Sequence, residues 1–200
     1  MTRDEHVKRV DFGGEQWNSR TFEKCSFVEC SFKGADLQAI ETERCIFDRC
    51  DFSGAKLNDS KHRASAFINC TFRVANLWTT SFHHCKLTGS TFEEATLVGV
   101  TIEEGDWSYV NFRMQDLSKQ TFQHTQLKET DFYGANLKGA NFSGADMKGA
   151  KLMKAQLENA NLRGALVEAI NFSELSLKGV HLDWHQAVLV AESYGAKVEA

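Results

Sequence analysis

The residues best suited to chemistry in this 200-residue chain are its histidines and cysteines. His83, His84 and Cys85 place three metal-capable side chains in a row, and His62 lies one stretch of chain before them. Six cysteines, Cys25, Cys30, Cys45, Cys50, Cys70 and Cys85, could supply thiolates or pair as disulfides. Carboxylates gather at Glu93, Glu94, Glu103, Glu104 and Asp106, in a chain of 27 acids and 23 bases with net charge −4. A metal needs ligands converging in a tetrahedral or octahedral set, and acid–base catalysis needs groups within hydrogen-bond reach. Convergence depends on the elements that carry these residues.

One rule governs those elements. From Phe12 to Leu182 the residue numbers ending in 2 or 7 are large and apolar, with only Thr42 and His62 departing among 35 positions. All 15 phenylalanines lie in this register. A period of five matches neither a helix at 3.6 nor a strand at 2, so the chain is a repeat architecture. Two residues before each large residue the chain usually places a small one, and all six cysteines occupy that slot. Asn, Asp, Ser, Thr or Lys usually precedes the large residue directly. Eleven of the 14 glycines fall two residues after it, where a tight turn takes positive φ. At a spacing of 20, residues 12 to 172 are all Phe except Leu152, and residues 37 to 177 are all Leu beneath Trp17. Four five-residue units therefore make one coil, with like side chains stacked along an axis. The absence of proline fits, because a coil wall needs its backbone N–H groups for the ladder.

This register answers the chemical question. The cysteines point inward as compact hydrophobes, which argues against both disulfides and metal. His83 and His84 fall on a turn facing water and cannot easily meet Cys85. Thr42 and His62 are neighbours in one inward column, between Phe22 and Phe82. They form a buried polar pair that must hydrogen-bond, with a trapped water as a further partner. The glycines follow the turn period rather than gathering into a phosphate-cradling or dinucleotide loop. No catalytic constellation forms, and the expectation is a protein that is not an enzyme and takes no metal or cofactor.

The tail departs from the repeat. Asp183 reads as a helix N-cap, Trp184, Ala187, Val188 and Ala191 lie at helical spacing, and Gly195 suits the position after the helix. Such a helix would cover the open end of the coils, which otherwise exposes strand edges. Leu189 and Tyr194 widen its apolar surface, so Trp184, Ala187, Val188, Leu189, Ala191 and Tyr194 are expected to form a dimer interface. Trp78 follows the inward Leu77 and should face out beside Val98, as a candidate partner contact. The chain contains no apolar run long enough to span a membrane and opens without an apolar signal segment, so a cytoplasmic protein is expected.

The stretch from Asp131 to Ala150, which repeats the motif Gly-Ala-Asn/Asp-Phe/Leu/Met, closely resembles the pentapeptide-repeat proteins. The segment from Thr42 to Phe72, with the tail residues Asp183, Gln186, Ala187 and Gly195, is similar to the quinolone-resistance type, MfpA and Qnr, and more to MfpA. The resemblance implies an all-β solenoid, a right-handed quadrilateral β-helix of about nine coils capped by a short C-terminal α-helix. Residues 1–182 would form the β-helix, with 1–10 as an N-terminal cap, and 183–200 the capping and dimerisation helix with its tail. It implies a homodimer joined at the C-terminal ends that mimics duplex DNA and binds DNA gyrase, a type II topoisomerase, without binding nucleic acid itself. Glu93, Glu94, Glu103, Glu104, Asp106 and Trp78 are the candidate contact residues. At roughly 4.8 Å per coil such a rod is about 40 Å long, and a dimer about 80 Å spans some two dozen base pairs. The alternatives are a scaffold or regulator of another protein, or self-immunity to a gyrase-directed antibiotic.

Overall fold

The computed structural model describes residues 1–199; Ala200, the last residue of the expected tail segment, lies outside them. The chain winds as a parallel β-solenoid in which residue i pairs with residue i+20, as in Thr42 with His62 and Phe47 with Phe67. Four faces follow. Face 1 carries the Phe32 and Phe52 column, face 2 the Leu37 and Leu57 column, face 3 the Phe22 and Phe82 column, and face 4 the Phe27 and Phe47 column.

Regular strands occupy faces 3 and 4 of the earlier coils. On face 3 they are β1 (Thr2–Arg3), β3 (Thr21–Glu23), β5 (Glu41–Glu43), β7 (Lys61–Arg63), β9 (Ser81–His83) and β10 (Thr101–Glu103), paired in that order. On face 4 they are β2 (His6–Lys8), β4 (Ser26–Val28), β6 (Ile46–Asp48) and β8 (Ala66–Ile68). Regular strand thus extends over about five coils, in a β-helix expected to have about nine. Beyond Glu103 the same spacing continues as isolated bridges, the last being Asn161 with His181. Residues 1–10, set apart as a cap by sequence, run as β1 and β2 within the first coil.

The five-residue motif has a physical basis at each slot. In the tighter units the carbonyl of the large residue accepts the N–H three residues on, as Phe32 does from Ala35 at 3.1 Å. The residue between them at the corner has positive φ, as a type II turn requires. Glycine is not obligatory there: non-glycine residues such as Glu94, Lys119 and His124 adopt φ of 56°, 60° and 56°. The Asn or Asp before the large residue accepts the N–H two residues on, seen for Asp51 with Ser53 at 2.9 Å and Asp131 with Tyr133 at 2.9 Å. These Asx turns fix the corner, and alanine lacks the acceptor for them. At the small slot, hydroxyls and thiols donate to a carbonyl of the preceding coil: Thr80 to Leu57 at 2.7 Å, Ser90 to Phe67 at 2.9 Å, Cys50 to Phe27 at 3.3 Å.

The core is a set of ring stacks with the period of the backbone. Phe32, Phe52, Phe72 and Phe92 stack at centroid spacings of 4.9, 5.0 and 4.8 Å with ring planes within 4°. Each buried phenylalanine contributes roughly 1.5–3 kcal/mol of transfer free energy, and offset stacking adds to it. At the C-terminal end the helix α1 (Trp184–Ser193) is held by a capping box: Asp183 accepts from His185 and Gln186 N–H at 3.0 and 3.3 Å, and Gln186 Oε1 accepts from Asp183 N–H at 2.8 Å. It ends in a Schellman motif, with Gly195 at φ 87° and Ala196 N–H donating to the Ala191 carbonyl at 3.1 Å.

Candidate functional surfaces

Thr42 and His62 are part of a polar chain of four side chains set in the aromatic core. Thr42 Oγ1 lies 2.8 Å from His62 Nδ1, and Ser60 Oγ lies 3.0 Å from His62 Nε2. Thr42 donates onward to Ser65 Oγ at 3.0 Å, and Ser65 donates to the Arg63 carbonyl at 3.0 Å. Proton bookkeeping assigns the tautomer. With the Thr42 hydrogen spent on Ser65, His62 must donate from Nδ1 and accept from Ser60 at Nε2. The ring stacks on Phe82 at 5.0 Å and meets Phe67 edge-on at 4.9 Å. Burial pushes the imidazole down to a pKa of about 3, so it is neutral. Every polar atom of the ring is used, which makes this a structural network with nothing left to offer a substrate. Ser60 and Ser65 are the members that column reasoning passed over. Their signal is that both small slots beside His62 hold hydroxyls.

The cysteines are all buried and free. Burial pushes Cys45 and Cys85 up to about 11, so they remain unreactive thiols. His83 Nδ1 is bonded to Glu103 Oε2, and His84 Nδ1 lies 3.3 Å from Glu104 Oε2. Both pairs are on the surface while Cys85 is inside, and among the described residues no group of His, Cys, Asp and Glu is arranged to hold a metal. A depression of about 210 Å³ on face 3 is lined by Glu41, Glu43, Lys61, Arg63 and His83 above the buried network, with charges of both signs.

The carboxylates that look clustered in sequence are parted by the winding. By register Glu93 and Glu94 lie on face 1, Glu103 and Glu104 on face 3 and Asp106 on face 4. Four of the five are engaged by a side chain of the preceding coil: Glu94 by Arg73 at 3.6 Å, Glu103 by His83, Glu104 by His84 and Asp106 by Lys86 at 3.8 Å. Glu93 accepts from Asn111 at 3.2 Å. Trp78 is 50% and Val98 66% exposed, on face 2 of successive coils.

At the C-terminal end Trp184 is 82% and Tyr194 60% exposed, Ala187 is exposed, and Val188 and Ala191 are half-buried. Leu189 and Val190 pack against the core. The anchor is Gln186, which the sequence offered only as part of the tail pattern: its buried side chain donates from Nε2 to the Ala165 carbonyl at 3.0 Å. Asp183 Oδ2 also accepts from Gly164 N–H at 2.7 Å, a bond that, with those from Gln186 and His185, holds its carboxyl below the usual range. No helix of the described residues is long and apolar enough to cross a membrane.

Models of the pentapeptide repeat match residues 75–152, and 25–61 together with 150–184. The chain belongs to the pentapeptide-repeat family. Among curated proteins none matches it. Among solved structures it is similar to a trypsin-treated form of QnrB1, a plasmid-mediated fluoroquinolone resistance protein, with 25% identity and a TM-score of 0.67 over 100% of this chain and 99% of that one. Full-length QnrB1 gives 23% identity and 0.60, over 97% of this chain and 100% of that one. HetL, a pentapeptide-repeat protein of the cyanobacterium Nostoc involved in regulating heterocyst differentiation, shares the fold at 21% identity and 0.53, over 90% of this chain and 85% of that one.

Proposed function

We propose that the chain is a non-enzymatic, cytoplasmic binding protein that modulates DNA gyrase and protects it from fluoroquinolones. The observation that carries this reading is the end-to-end likeness to QnrB1, a fluoroquinolone resistance protein. Side-chain architecture supports a binding role, since the interior is packed with aromatic and aliphatic residues and the polar groups around His62 are spent on one another and on backbone. The exposed Trp184 and Tyr194, with Ala187, Val188 and Ala191, supply an apolar surface through which two rods join at their C-terminal ends. The joined rods, about 80 Å long, match a duplex segment in length. A role in self-immunity to a gyrase-directed antibiotic would use the same contact.

The test is a supercoiling assay in which purified protein is titrated into DNA gyrase, with and without a fluoroquinolone. Inhibition, or rescue from the drug, at micromolar protein or below supports the reading. No effect in either arm from folded dimer refutes it. The second reading, a scaffold for a different protein, draws on the near-balance of 27 acids and 23 bases, which suits general protein contacts as well as a DNA-binding surface.

A further inference from the structure

The backbone ladder that joins the coils is interrupted near the middle of the rod. Along faces 2 and 3 the N–H groups donate to the following coil, as Leu77 and Thr79 do to Thr96 and Val98 at 3.0 Å each. Leu117, Lys119 and Phe122 likewise reach Asn136, Lys138 and Asn141 at 2.8, 2.8 and 2.7 Å. The coil between these two behaves differently. Among the described residues, the chain from Glu94 to Glu104 makes no backbone hydrogen bond to the coil after it. Thr96 bridges back to Asn76 and Thr101 pairs back with Ser81, and neither bridges forward. On face 1 the Phe92 bond to Asn111 is already lengthened to 3.2 Å, against 2.7 and 2.8 Å for Phe52 and Phe72. Contact resumes on face 4, where Gln126 N–H donates to the Gly105 carbonyl at 3.0 Å and Trp107 N–H to Gln126 at 2.8 Å.

The core registers the same opening, and the sequence supplies its cause. Leu97 is half-buried, whereas Leu57, Leu77 and Leu137 of its column are sealed. The small slot at the corner of faces 1 and 2 holds Ala at 35, 55, 75, 95, 135 and 155, but Gln at 115. At the corner of faces 2 and 3 the column reads Ser60, Thr80, Val100, Gln120, Ala140 and Ala160. Two long side chains therefore flank one face of one coil, where close packing leaves room for a methyl or a hydroxyl. Gln115 is buried and donates to the Phe92 carbonyl at 2.7 Å. Gln120 donates beside itself to the Thr121 carbonyl at 3.2 Å, whereas Thr80 in the same slot reaches across to Leu57 at 2.7 Å. An oversized slot residue has the same consequence at the C-terminal end. Leu175 follows Ala155 in its column, and the N–H groups of Leu152 and Leu157 make no bond to the last coil. That gap has no further stack beyond it, whereas the one after Glu94 has several coils on either side.

We infer that the rod is hinged at this gap: residues 1–104 and 106–199 are two stiff stacks joined through faces 4 and 1, with Gln115 and Gln120 wedging faces 2 and 3 apart. In a solenoid each coil touches only its neighbours, so one loosened interface uncouples everything on either side of it. A hinge needs few residues, and here the moving part is an interface rather than a loop. Because it lies near mid-rod, its angle sets the curvature of the whole molecule. The inference stands apart from the gyrase reading, since it concerns the rod alone.

The experiment has two readouts on the full chain, wild type and Gln115→Ala/Gln120→Ala, each checked for its thermal midpoint. Amide hydrogen exchange by NMR, corrected for intrinsic rates, reports the gap. In wild type Leu97, Gly99 and Ile102 should exchange on the order of 100-fold faster than Leu77, Thr79, Leu117 and Lys119, and the variant should slow them toward those neighbours. Pulsed electron spin resonance reports the bend, with spin labels on introduced surface cysteines, the native thiols being buried. One pair, Asn18→Cys/Lys138→Cys, lies on face 2, and the other, Lys8→Cys/Lys128→Cys, lies on face 4. Each pair spans six coils, roughly 29 Å. The face 2 distances should be clearly broader than those of face 4, and should narrow in the variant. Protection at Leu97, Gly99 and Ile102 equal to that of their neighbours overturns the hinge, and so do equal widths on the two faces. Fast exchange that persists in the folded variant overturns the role given to the two glutamines.

Discussion

His62 makes the fold sensitive to acid in a way that can be isolated. In the unfolded chain its imidazole titrates near 6.5, while in the folded core burial holds it at about 3. Above pH 6.5 it is neutral in both states and ionisation contributes nothing. Below that, the unfolded chain takes up a proton that the folded chain refuses, so stability falls as pH falls, until the folded ring also protonates near 3. Each unit of separation is worth about 1.36 kcal/mol. At pH 4.5 the loss is about 2.7 kcal/mol, and it levels off near 5 kcal/mol. With a urea slope of about 2 kcal/mol/M, the loss at pH 4.5 moves the midpoint down by about 1.4 M.

Carboxylates also lose stability in acid, so the measurement needs a partner protein without the histidine. His62→Phe restores the aromatic register between Thr42 and Phe82. The Ser60 hydroxyl, released from the imidazole, can donate to Thr80 Oγ1 at 3.4 Å, and Thr42 keeps Ser65 at 3.0 Å, so at pH 7 the variant should lie within about 2 kcal/mol of wild type. Urea midpoints of both proteins, followed by tryptophan fluorescence from pH 7 to 4, should diverge progressively below pH 6.5, with wild type losing more. Parallel pH profiles would refute the neutral, buried imidazole and the proton assignment built on it.

Three further outcomes follow from the turns and the small slot. Gly105 has φ 98°, and a Cβ there would stand 2.1 Å from the Cys85 carbonyl oxygen, so Gly105→Ala should cost about 3 kcal/mol or more and lower Tm by roughly 6–12 °C by calorimetry; a shift under 2 °C would show the coil can move aside. Val74→Asn replaces a branched residue at φ 58° with one that accepts that conformation, and should raise Tm by about 2–4 °C; a fall would mean its exposed methyls matter more than the strain. The six buried thiols should resist Ellman's reagent in the native protein and all react in denaturant, and rapid modification of any one would contradict the packing of the slot.

The period of five made the inward column, the four faces and the inward cysteines legible, because packing at those positions depends only on residue size and register. What the register could not carry were contacts between coils that need particular side-chain reach. Gln186 looks like an unremarkable helix residue until its amide is seen to reach the Ala165 carbonyl. Ser60 and Ser65 read as interchangeable small residues, and their hydroxyls gain meaning only from the imidazole between them. How much of the rod is regular strand was not legible for a related reason. Each unit can turn tightly or run flat at the same 20-residue spacing, as Leu87 and Phe82 do in adjacent units, so spacing alone does not say which. The acidic residues were misleading in a more general way: nearness in sequence on a solenoid places side chains on different faces, and nearness in space belongs to residues 20 apart.

That last point bears on how such a rod could stand in for DNA. Outward side chains of adjacent coils are a strand spacing apart, so like charges stacked along a face would repel. The chain instead alternates signs, with Arg3 beside Glu23, Lys61 beside Glu41 and Lys148 beside Glu168. Forty ångströms of duplex carries about two dozen negative charges, whereas this subunit has a net charge of −4. The ion pairs that let identical coils stack therefore remove most of the field a charge mimic would need. An attraction to a DNA-binding protein then has to come from the length of the rod and from local features that escape the pairing. One such feature is the half-exposed Trp78, on a stretch of face 2 whose residues 76–79 carry no charge. Affinity built this way is carried by shape and a few desolvated contacts, and depends on salt far less than a polyanion's would.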